Sequence, residues 1–215
     1  MQNIQIQKTE DGSQTLYSEK YKEHYHSIFG AKNESQHIFI EAGLKIIDKP
    51  EISIFEMGFG TGLNALLSAN EAIKSKLTIK YFCIEKHPVL ESIYKNLDYV
   101  SEQKSLFKKL HEAEWNKLEE ILPNFHLFKH KGDILDYIHQ NKYDLVYYDA
   151  FSPDIQPDLW SKDIFKSIYN QMNKGGILMT YSVKGVVKRA LKSVGFAIEK
   201  IPGPKGKREI LRAVK

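Results

Sequence analysis

A glycine-rich segment marks the junction between an apolar, strand-like run and a helix-like sequence. It reads Glu56-Met57-Gly58-Phe59-Gly60-Thr61-Gly62 and follows the largely apolar positions 52–55. Glycines at such a junction allow a tight turn and let a ligand approach the backbone amides. A dinucleotide fingerprint would need its third glycine at position 63, which is Leu63, and no Gly-Lys-Ser/Thr follows to form a phosphate loop. Both of these nucleotide-binding motifs are therefore excluded.

The pattern E-x-G-x-G-x-G instead resembles motif I of the class I S-adenosylmethionine-dependent methyltransferases. The resemblance implies that the loop backbone lies against the methionine and ribose part of S-adenosyl-L-methionine, and that Glu56 hydrogen-bonds to the methionine amino group. A glycine-rich turn with a purely structural role is the alternative.

Two further acids stand where a cofactor on this fold would need them. Glu85 ends the second predicted strand, where a carboxylate can accept hydrogen bonds from both ribose hydroxyls. Asp133 follows the third predicted strand and can take the adenine amine, with Ile134 packed on the ring. Alone, each acid would be read as a solvated strand end or a helix N-cap. The predicted cofactor-binding residues are Glu56, Gly58, Phe59, Gly60, Thr61, Gly62, Asn64, Glu85, Lys86, Asp133, Ile134 and Asp149.

The fourth predicted strand is followed by Asp149-Ala150-Phe151-Ser152-Pro153, which combines a carboxylate, an aromatic ring and a rigid proline. In an open α/β sheet, chemistry collects at the carboxyl ends of the strands. Asp149 is the predicted catalytic residue, because a carboxylate can orient an amine nucleophile and stabilise the cation that forms. Phe151 can stack on a planar base. An ordinary strand-end aspartate beside a loop aromatic is the alternative.

The elements that must position these residues alternate between short apolar runs and amphipathic stretches, as in a parallel α/β sheet. Strands are predicted at 53–57, 78–84, 125–130, 145–148, 177–181, 197–201 and 208–214, and helices at 63–76, 88–97, 112–122, 133–140, 161–172 and 183–194. They predict an α/β class I methyltransferase fold, Rossmann-like, with a seven-stranded, mostly parallel sheet that ends in an antiparallel hairpin. Residues 51–215 form this domain, and residues 1–50 form an N-terminal extension packing on it. Tyr25 and His26 in the extension either cover the cofactor or belong to a docking helix.

The composition narrows the function further. The chain has 215 residues, 42% of them hydrophobic and 27% charged, which fits one α/β domain. The single cysteine, Cys83, excludes a disulfide framework, and its place inside a strand argues against carbon methylation through a cysteine nucleophile. The histidines are scattered, so no metal site is expected. We expect a cytoplasmic protein, because the sequence shows neither a signal peptide nor an apolar run long enough for a membrane helix.

Basic residues concentrate at the C-terminus. Positions 184–215 contain ten lysines and arginines against two glutamates, whereas the whole chain has a formal charge of only +4. This distribution is typical of an edge that faces a polyanion, and a solvated lysine-rich surface is the alternative.

Five segments together resemble one family, the methyltransferase domain of the bifunctional MnmC-type enzymes that make 5-methylaminomethyl-2-thiouridine in tRNA. They are Asp11-Gly12-Ser13-Gln14-Thr15-Leu16-Tyr17, Glu23-His24-Tyr25-His26-Ser27, the glycine loop from Phe55 to Asn64, Tyr148-Asp149-Ala150-Phe151-Ser152-Pro153, and Gly203-Pro204-Lys205-Gly206-Lys207-Arg208-Glu209.

The resemblance implies methyl transfer from S-adenosyl-L-methionine to the amine of 5-aminomethyl(-2-thio)uridine at the tRNA wobble position, with Asp149 as the carboxylate of the catalytic site. It places substrate binding on Phe151, Pro153, Lys205, Lys207 and Arg208. With no second glycine fingerprint, the chain is expected to lack the flavin chemistry of the bifunctional enzymes. The alternatives are a small-molecule N-methyltransferase or aminopropyltransferase on the same fold, and a non-catalytic RNA-binding module.

Overall fold

The computed structural model describes residues 4–99, 103–138 and 140–215. Its strands, in chain order, are β1 Ile4–Lys8, β2 Gln14–Ser18, β3 Glu23–His24, β4 Glu51–Met57, β5 Thr78–Glu85, β6 Leu118–Leu122, β7 Phe125–Lys131, β8 Tyr143–Tyr148, β9 Met172–Thr180, β10 Ala197–Pro202 and β11 Glu209–Val214. Its α-helices are α1 Ala31–Ser35, α2 Leu63–Ser75, α3 Glu91–Tyr94, α4 Lys104–Glu112, α5 Lys162–Gln171 and α6 Gly185–Val194. None of the helices in these ranges combines the length and the apolar character that crossing a membrane requires.

The central sheet has the strand order β10-β11-β9-β8-β4-β5-β7-β6. Strands β9, β8, β4, β5 and β7 run parallel, and β11 turns back antiparallel to both β9 and β10. The predicted α/β fold, with a mostly parallel sheet and a C-terminal antiparallel hairpin, is therefore confirmed. All six residues of β8 are buried, as expected for a strand covered on both faces.

The predicted count of seven strands is wrong, because eight strands of this sheet lie within the described ranges. The predicted helix at 112–122 is also wrong, since α4 ends at Glu112 and the chain continues into β6, which pairs antiparallel with β7. The chain turns at Asn116, between α4 and β6: this residue adopts a left-handed backbone (φ 64°), and its N–H donates to the Lys129 carbonyl at 2.7 Å. Pro123 and Asn124 between the two strands are turn residues that signal the hairpin in the sequence.

Helices α2, α5 and α6 confirm their predictions to within two residues, but two other predicted helices are mostly wrong. The helix expected at 88–97 is only the single turn α3, and that at 133–140 is a 3₁₀ turn, Ile134–Asp136, with residue 139 outside the described part. The Asp133 side chain accepts a hydrogen bond from the Leu135 N–H, and Tyr137 is already extended, so this turn does not propagate.

The N-terminal residues form a second, three-stranded antiparallel sheet of β1, β2 and β3, followed by α1 and a π-helical segment, Gln36–Glu41. Leu16, Ile38 and Phe39 belong to the same hydrophobic cluster as Ile54 of β4 and Leu66 of α2. The Phe39 ring lies 4.9 Å from that of Tyr147. This shared core holds the segment after β3 against the carboxyl ends of the central strands.

Candidate active site

A cavity of about 610 Å³ opens at the carboxyl ends of β4, β5 and β8. Its volume lies in the usual range for small-molecule sites. It brings together most of the predicted site residues: Glu56, Gly58, Phe59, Gly60, Thr61, Asn64, Glu85, Lys86, Asp133, Ile134, Asp149, Phe151 and Lys207. Gly62, Pro153, Lys205 and Arg208 were also predicted, and they do not line it.

The glycine loop needs its glycines for conformational reasons. Gly58, Gly60 and Gly62 have φ values of 89°, 52° and 75°, a region that side chains disfavour. Gly62 precedes α2 and is packed behind the loop, where an added Cβ would come within 2.9 Å of His111 Nε2. That nitrogen donates to the Thr61 carbonyl at 3.0 Å, so His111 fixes the loop from the side away from the cavity.

Glu85 is tied to the glycine loop. Its Oε2 accepts from the Gly60 N–H at 3.0 Å, and its Oε1 accepts from the His87 N–H at 2.8 Å. The two hydrogen bonds orient the carboxylate at the end of β5. Each oxygen keeps a second lone pair, which suits a diol such as a ribose.

Asp133 and Lys86 neutralise one another beside the cavity. The Lys86 Nζ lies 2.5 Å from Asp133 Oδ2, and this hydrogen bond holds the pKa of Asp133 below its ordinary value. Asp133 Oδ1 accepts from the Leu135 N–H at 3.1 Å. Ile134 is buried next to them. A ligand would therefore contact Asp133 as one half of an ion pair. The sequence alone does not indicate that Lys86 is its partner.

Asn64 bridges two acids. Its Nδ2 donates to Glu56 Oε1 and to Asp149 Oδ2, each at 2.9 Å, and so links the end of β4 to the end of β8. Burial raises the pKa of Glu56 well above its ordinary value. Glu56 Oε2 and Asn64 Oδ1 are buried acceptors outside these two hydrogen bonds, and the buried Tyr81 hydroxyl also interacts with the Glu56 carboxyl. Because both residues line the cavity, the ammonium group of a bound ligand would satisfy them.

Asp149 stands at the other end of this bridge. Burial, reinforced by the nearby Glu34 carboxylate, raises the pKa of Asp149 from 3.8 to about 7. The following residue is held in place, because the Tyr181 hydroxyl donates to the Ala150 carbonyl at 2.9 Å. A carboxyl with a pKa near neutrality can exist as the anion and still accept a proton, which suits a general base.

An aromatic wall stands beside Asp149. The Phe151 ring lies 4.7 Å from the Tyr21 ring and 5.0 Å from the Tyr25 ring. The Glu23 carboxylate accepts from the Ser152 N–H at 3.0 Å and so holds the N-terminal segment against this loop. Pro153 is buried and shapes the loop from outside the cavity.

The N-terminal aromatic residues lie at the site rather than on a docking helix. Tyr25 lines the cavity, and His26 Nε2 is 2.8 Å from the Thr61 hydroxyl. Burial lowers the pKa of His26 to about 4, so this histidine is neutral at physiological pH. The cavity is also lined by four residues outside the predicted set, Tyr21, Glu23, Glu34 and Tyr181. The Tyr/His-rich stretch at 17–26 signals the first two, whereas Glu34 and Tyr181 carry no local signal.

The basic C-terminus is partly neutralised by acids from elsewhere in the chain. Lys184 pairs with Asp154, Lys205 with Glu10 and Lys207 with Glu34. Lys205 is exposed and lies outside the cavity, and Arg208 is exposed on the loop between β10 and β11.

Fold and site together define a class. Residues 101–215 match the family model described as S-adenosyl-L-methionine-dependent methyltransferase, and the chain belongs to this family. Its cofactor is S-adenosyl-L-methionine. The cavity fits that molecule, because the buried acceptors of Glu56 and Asn64 suit its ammonium group and the Glu85 carboxylate suits its ribose.

The similarity to particular proteins is more specific. The chain is 33% identical to the tRNA 5-methylaminomethyl-2-thiouridine biosynthesis bifunctional protein MnmC of Burkholderia thailandensis, over 94% of this chain and 33% of that protein. The protein of the same name from Leptospira interrogans is 28% identical over 92% of this chain and 33% of its own length. The chain thus spans about a third of the length of the curated relatives it matches.

Two solved structures are similar along nearly the whole chain. MnmC2 from Aquifex aeolicus is 26% identical and superposes with a TM-score of 0.84, covering 99% of this chain and 70% of that one. Spermidine synthase from Thermotoga maritima, at 13% identity and a TM-score of 0.64, covers 100% of this chain and 70% of its own and shares the fold alone.

Proposed function

We propose that this methyltransferase acts on tRNA and methylates the primary amine of 5-aminomethyl(-2-thio)uridine at the wobble position, giving 5-methylaminomethyl(-2-thio)uridine. The observation that carries the proposal is the Asp149 carboxyl, whose pKa of about 7 places a proton acceptor in the same cavity as the glycine loop. The similarity to the MnmC proteins, whose name gives this modified nucleoside, supports the choice of acceptor.

The cofactor-binding residues divide by the part of the molecule they suit. Glu56 and Asn64 offer buried acceptors to the methionine ammonium group, and Glu85 offers carboxylate oxygens to the ribose. Gly58 and Gly60 allow the close backbone approach that a bulkier residue would prevent. Ile134 provides an apolar surface for the adenine, and Asp133 with Lys86 borders it as an ion pair.

The remaining residues are proposed to deprotonate and orient the acceptor amine. Bound S-adenosyl-L-methionine supplies an electrophilic methyl group, which only an amine with a free lone pair can accept. Asp149 accepts a proton from the ammonium form and then orients the neutral amine through its remaining N–H bonds. Phe151, with Tyr21 and Tyr25 behind it, presents a ring on which a uracil base can stack.

The phosphate backbone of the tRNA is proposed to contact the exposed basic residues near the cavity. Arg208 is exposed beside Lys207, which lines the cavity, and Lys205 lies earlier on the same loop. Phosphate contacts from such residues position a nucleic acid without reading its sequence. Recognition of the modified base then falls to the cavity itself.

A methyl-transfer assay with labelled S-adenosyl-L-methionine tests the proposal. The acceptors are tRNA carrying 5-aminomethyluridine, the same tRNA as an unmodified transcript, and putrescine as a free small amine. Label in the aminomethylated tRNA alone is the expected result. Label in putrescine instead would favour the small-molecule alternative, and label in the unmodified transcript would show that the amine is not the acceptor.

A further inference from the structure

An ion pair between opposite ends of the chain forms part of the cavity wall. Glu34 lies in α1, and Lys207 lies in the loop between β10 and β11. The Lys207 Nζ donates to Glu34 Oε1, and Glu34 Oε2 accepts from the Ser27 N–H at 2.7 Å. Only 11% of the Glu34 side chain and 28% of the Lys207 side chain are exposed. The pair is therefore shielded from the solvent that weakens most surface ion pairs.

Both members of this pair line the same cavity as Asp149, and their charges act on its carboxyl in opposite directions. The Glu34 carboxylate raises the pKa of Asp149, and the Lys207 ammonium lowers it. The titratable and polar groups that interact with Asp149 come from five elements or loops: Glu34 of α1, Glu56 of β4, Asn64 of α2, Tyr181 after β9, and Lys207. Lys207 is the cation among them.

We propose that Glu34 and Lys207 form a charge-balancing pair that keeps the Asp149 carboxylate available as a proton acceptor near neutral pH. The inference rests on the proposed role of Asp149 in methyl transfer. Both members are positioning residues, because they act on the reaction through the charge of Asp149. Without Lys207, the buried Glu34 anion would face Asp149 unopposed and favour its protonated form. Without Glu34, the unpaired Lys207 ammonium would favour the Asp149 anion.

Because the two charges have opposite effects on the pKa of Asp149, the two single variants should shift the pH profile in opposite directions. In the variant Lys207→Met, the acid limb of the kcat/KM pH profile moves to higher pH by about half a unit or more, and in Glu34→Gln it moves to lower pH by at least as much, since Glu34 has the larger effect on Asp149. The limb of the double variant Glu34→Gln/Lys207→Met lies between those of the two single variants. Lys207→Arg keeps the charge and leaves the limb in place.

A second ion pair, between Glu10 and Lys205, joins the same two parts of the chain, the N-terminal segment and the β10–β11 loop, and provides a matched control. Glu10 and Lys205 pair at 2.7 Å, with side chains 50% and 73% exposed, and Glu10 does not line the cavity. Glu10→Gln therefore breaks an ion pair between the N-terminal segment and the hairpin loop without changing the charge around Asp149. Its pH profile stays that of the wild type.

A second measurement does not depend on turnover. The carboxyl carbon of Asp149 is followed by ¹³C NMR titration in protein labelled at aspartate and assigned by its loss in Asp149→Asn, with thermal unfolding to confirm that each variant is folded. Shifts of the Asp149 titration upward in Lys207→Met and downward in Glu34→Gln support the inference. Shifts in the same direction, or none, overturn it. The pair would then be a structural contact between α1 and the β10–β11 loop. If the wild type fails to methylate aminomethylated tRNA, the proposed function fails, whereas the titration still decides the charge-balancing role.

Discussion

Replacing Asn64 with alanine removes the amide that joins Glu56 to Asp149. The Asn64 Nδ2 donates to Oε1 of Glu56 and to Oδ2 of Asp149, both at 2.9 Å. The hydrogen bond to Asp149 lowers the pKa of this carboxyl and so opposes the effect of burial. Its loss should therefore raise the pKa of Asp149 above about 7, and the acid limb of the rate profile should follow.

The expected size of this shift comes from the strength of the bond. A hydrogen bond to a charged group contributes about 1.5–3 kcal/mol, which corresponds to about one to two pKa units. Because the proposed mechanism needs the Asp149 carboxylate, the limb is expected to move from near pH 7 to about pH 8–9. At pH 7 the ionised fraction then falls from about one half to about one tenth or one hundredth, so kcat/KM falls by about 5- to 50-fold.

The assay is a pH series of tRNA methylation at saturating S-adenosyl-L-methionine, since Glu56 also loses its hydrogen bond and cofactor affinity falls with it. Asn70→Ala is the matched control. Asn70 lies on the same helix and donates to Gln103 at 2.5 Å, away from the cavity. A rate loss in Asn64→Ala that is equal at pH 7 and pH 9 would refute the argument, as would a shifted limb in the control.

Three further predictions use other contacts. Glu85→Ala leaves the Gly60 N–H without its acceptor and removes the proposed ribose ligand, so the Kd for S-adenosyl-L-methionine measured by calorimetry rises about tenfold or more; an unchanged Kd would show that this role is wrong. Asp149→Asn lowers kcat about 100-fold while cofactor binding is retained, and wild-type turnover at pH 8 would contradict it. Arg208→Ala raises the KM for tRNA and reduces the slope of log K against log salt by about one, whereas lost activity with an unaltered slope would make Arg208 structural.

Much of the fold follows from local sequence signals. Apolar runs bounded by turn residues predict the parallel strands, because strands buried on both faces need continuous apolar side chains. The edge strand β6 is not predicted in this way, because it lacks a continuous apolar run. Its sequence, Leu-Glu-Glu-Ile-Leu, consists mainly of good helix formers, and its strand conformation depends on pairing with β7 after the turn at Asn116.

The candidate site also contains some features that local sequence predicts and others that it does not. The glycine loop, Glu85 and Asp149 are predictable, because each follows a strand whose carboxyl end must face the cavity. The ion pairs are not predictable: Lys207 meets Glu34 across 173 positions of sequence, and Lys205 meets Glu10 across 195. These contacts depend on how the N-terminal segment packs, which no local pattern encodes. As a result, Lys205 and Lys207 were assigned to the substrate with no indication of their acidic partners.

The most direct test of the central claim is to locate the methyl group. Aminomethylated tRNA is incubated with the protein and S-adenosyl-L-methionine and digested to nucleosides, and the products are identified by mass spectrometry. We expect the wobble nucleoside to gain the mass of one methyl group, with fragmentation placing it on the side-chain nitrogen, and we expect this product to fall sharply in Asp149→Asn. A methyl group on the base, the ribose or another nucleoside would contradict the claim.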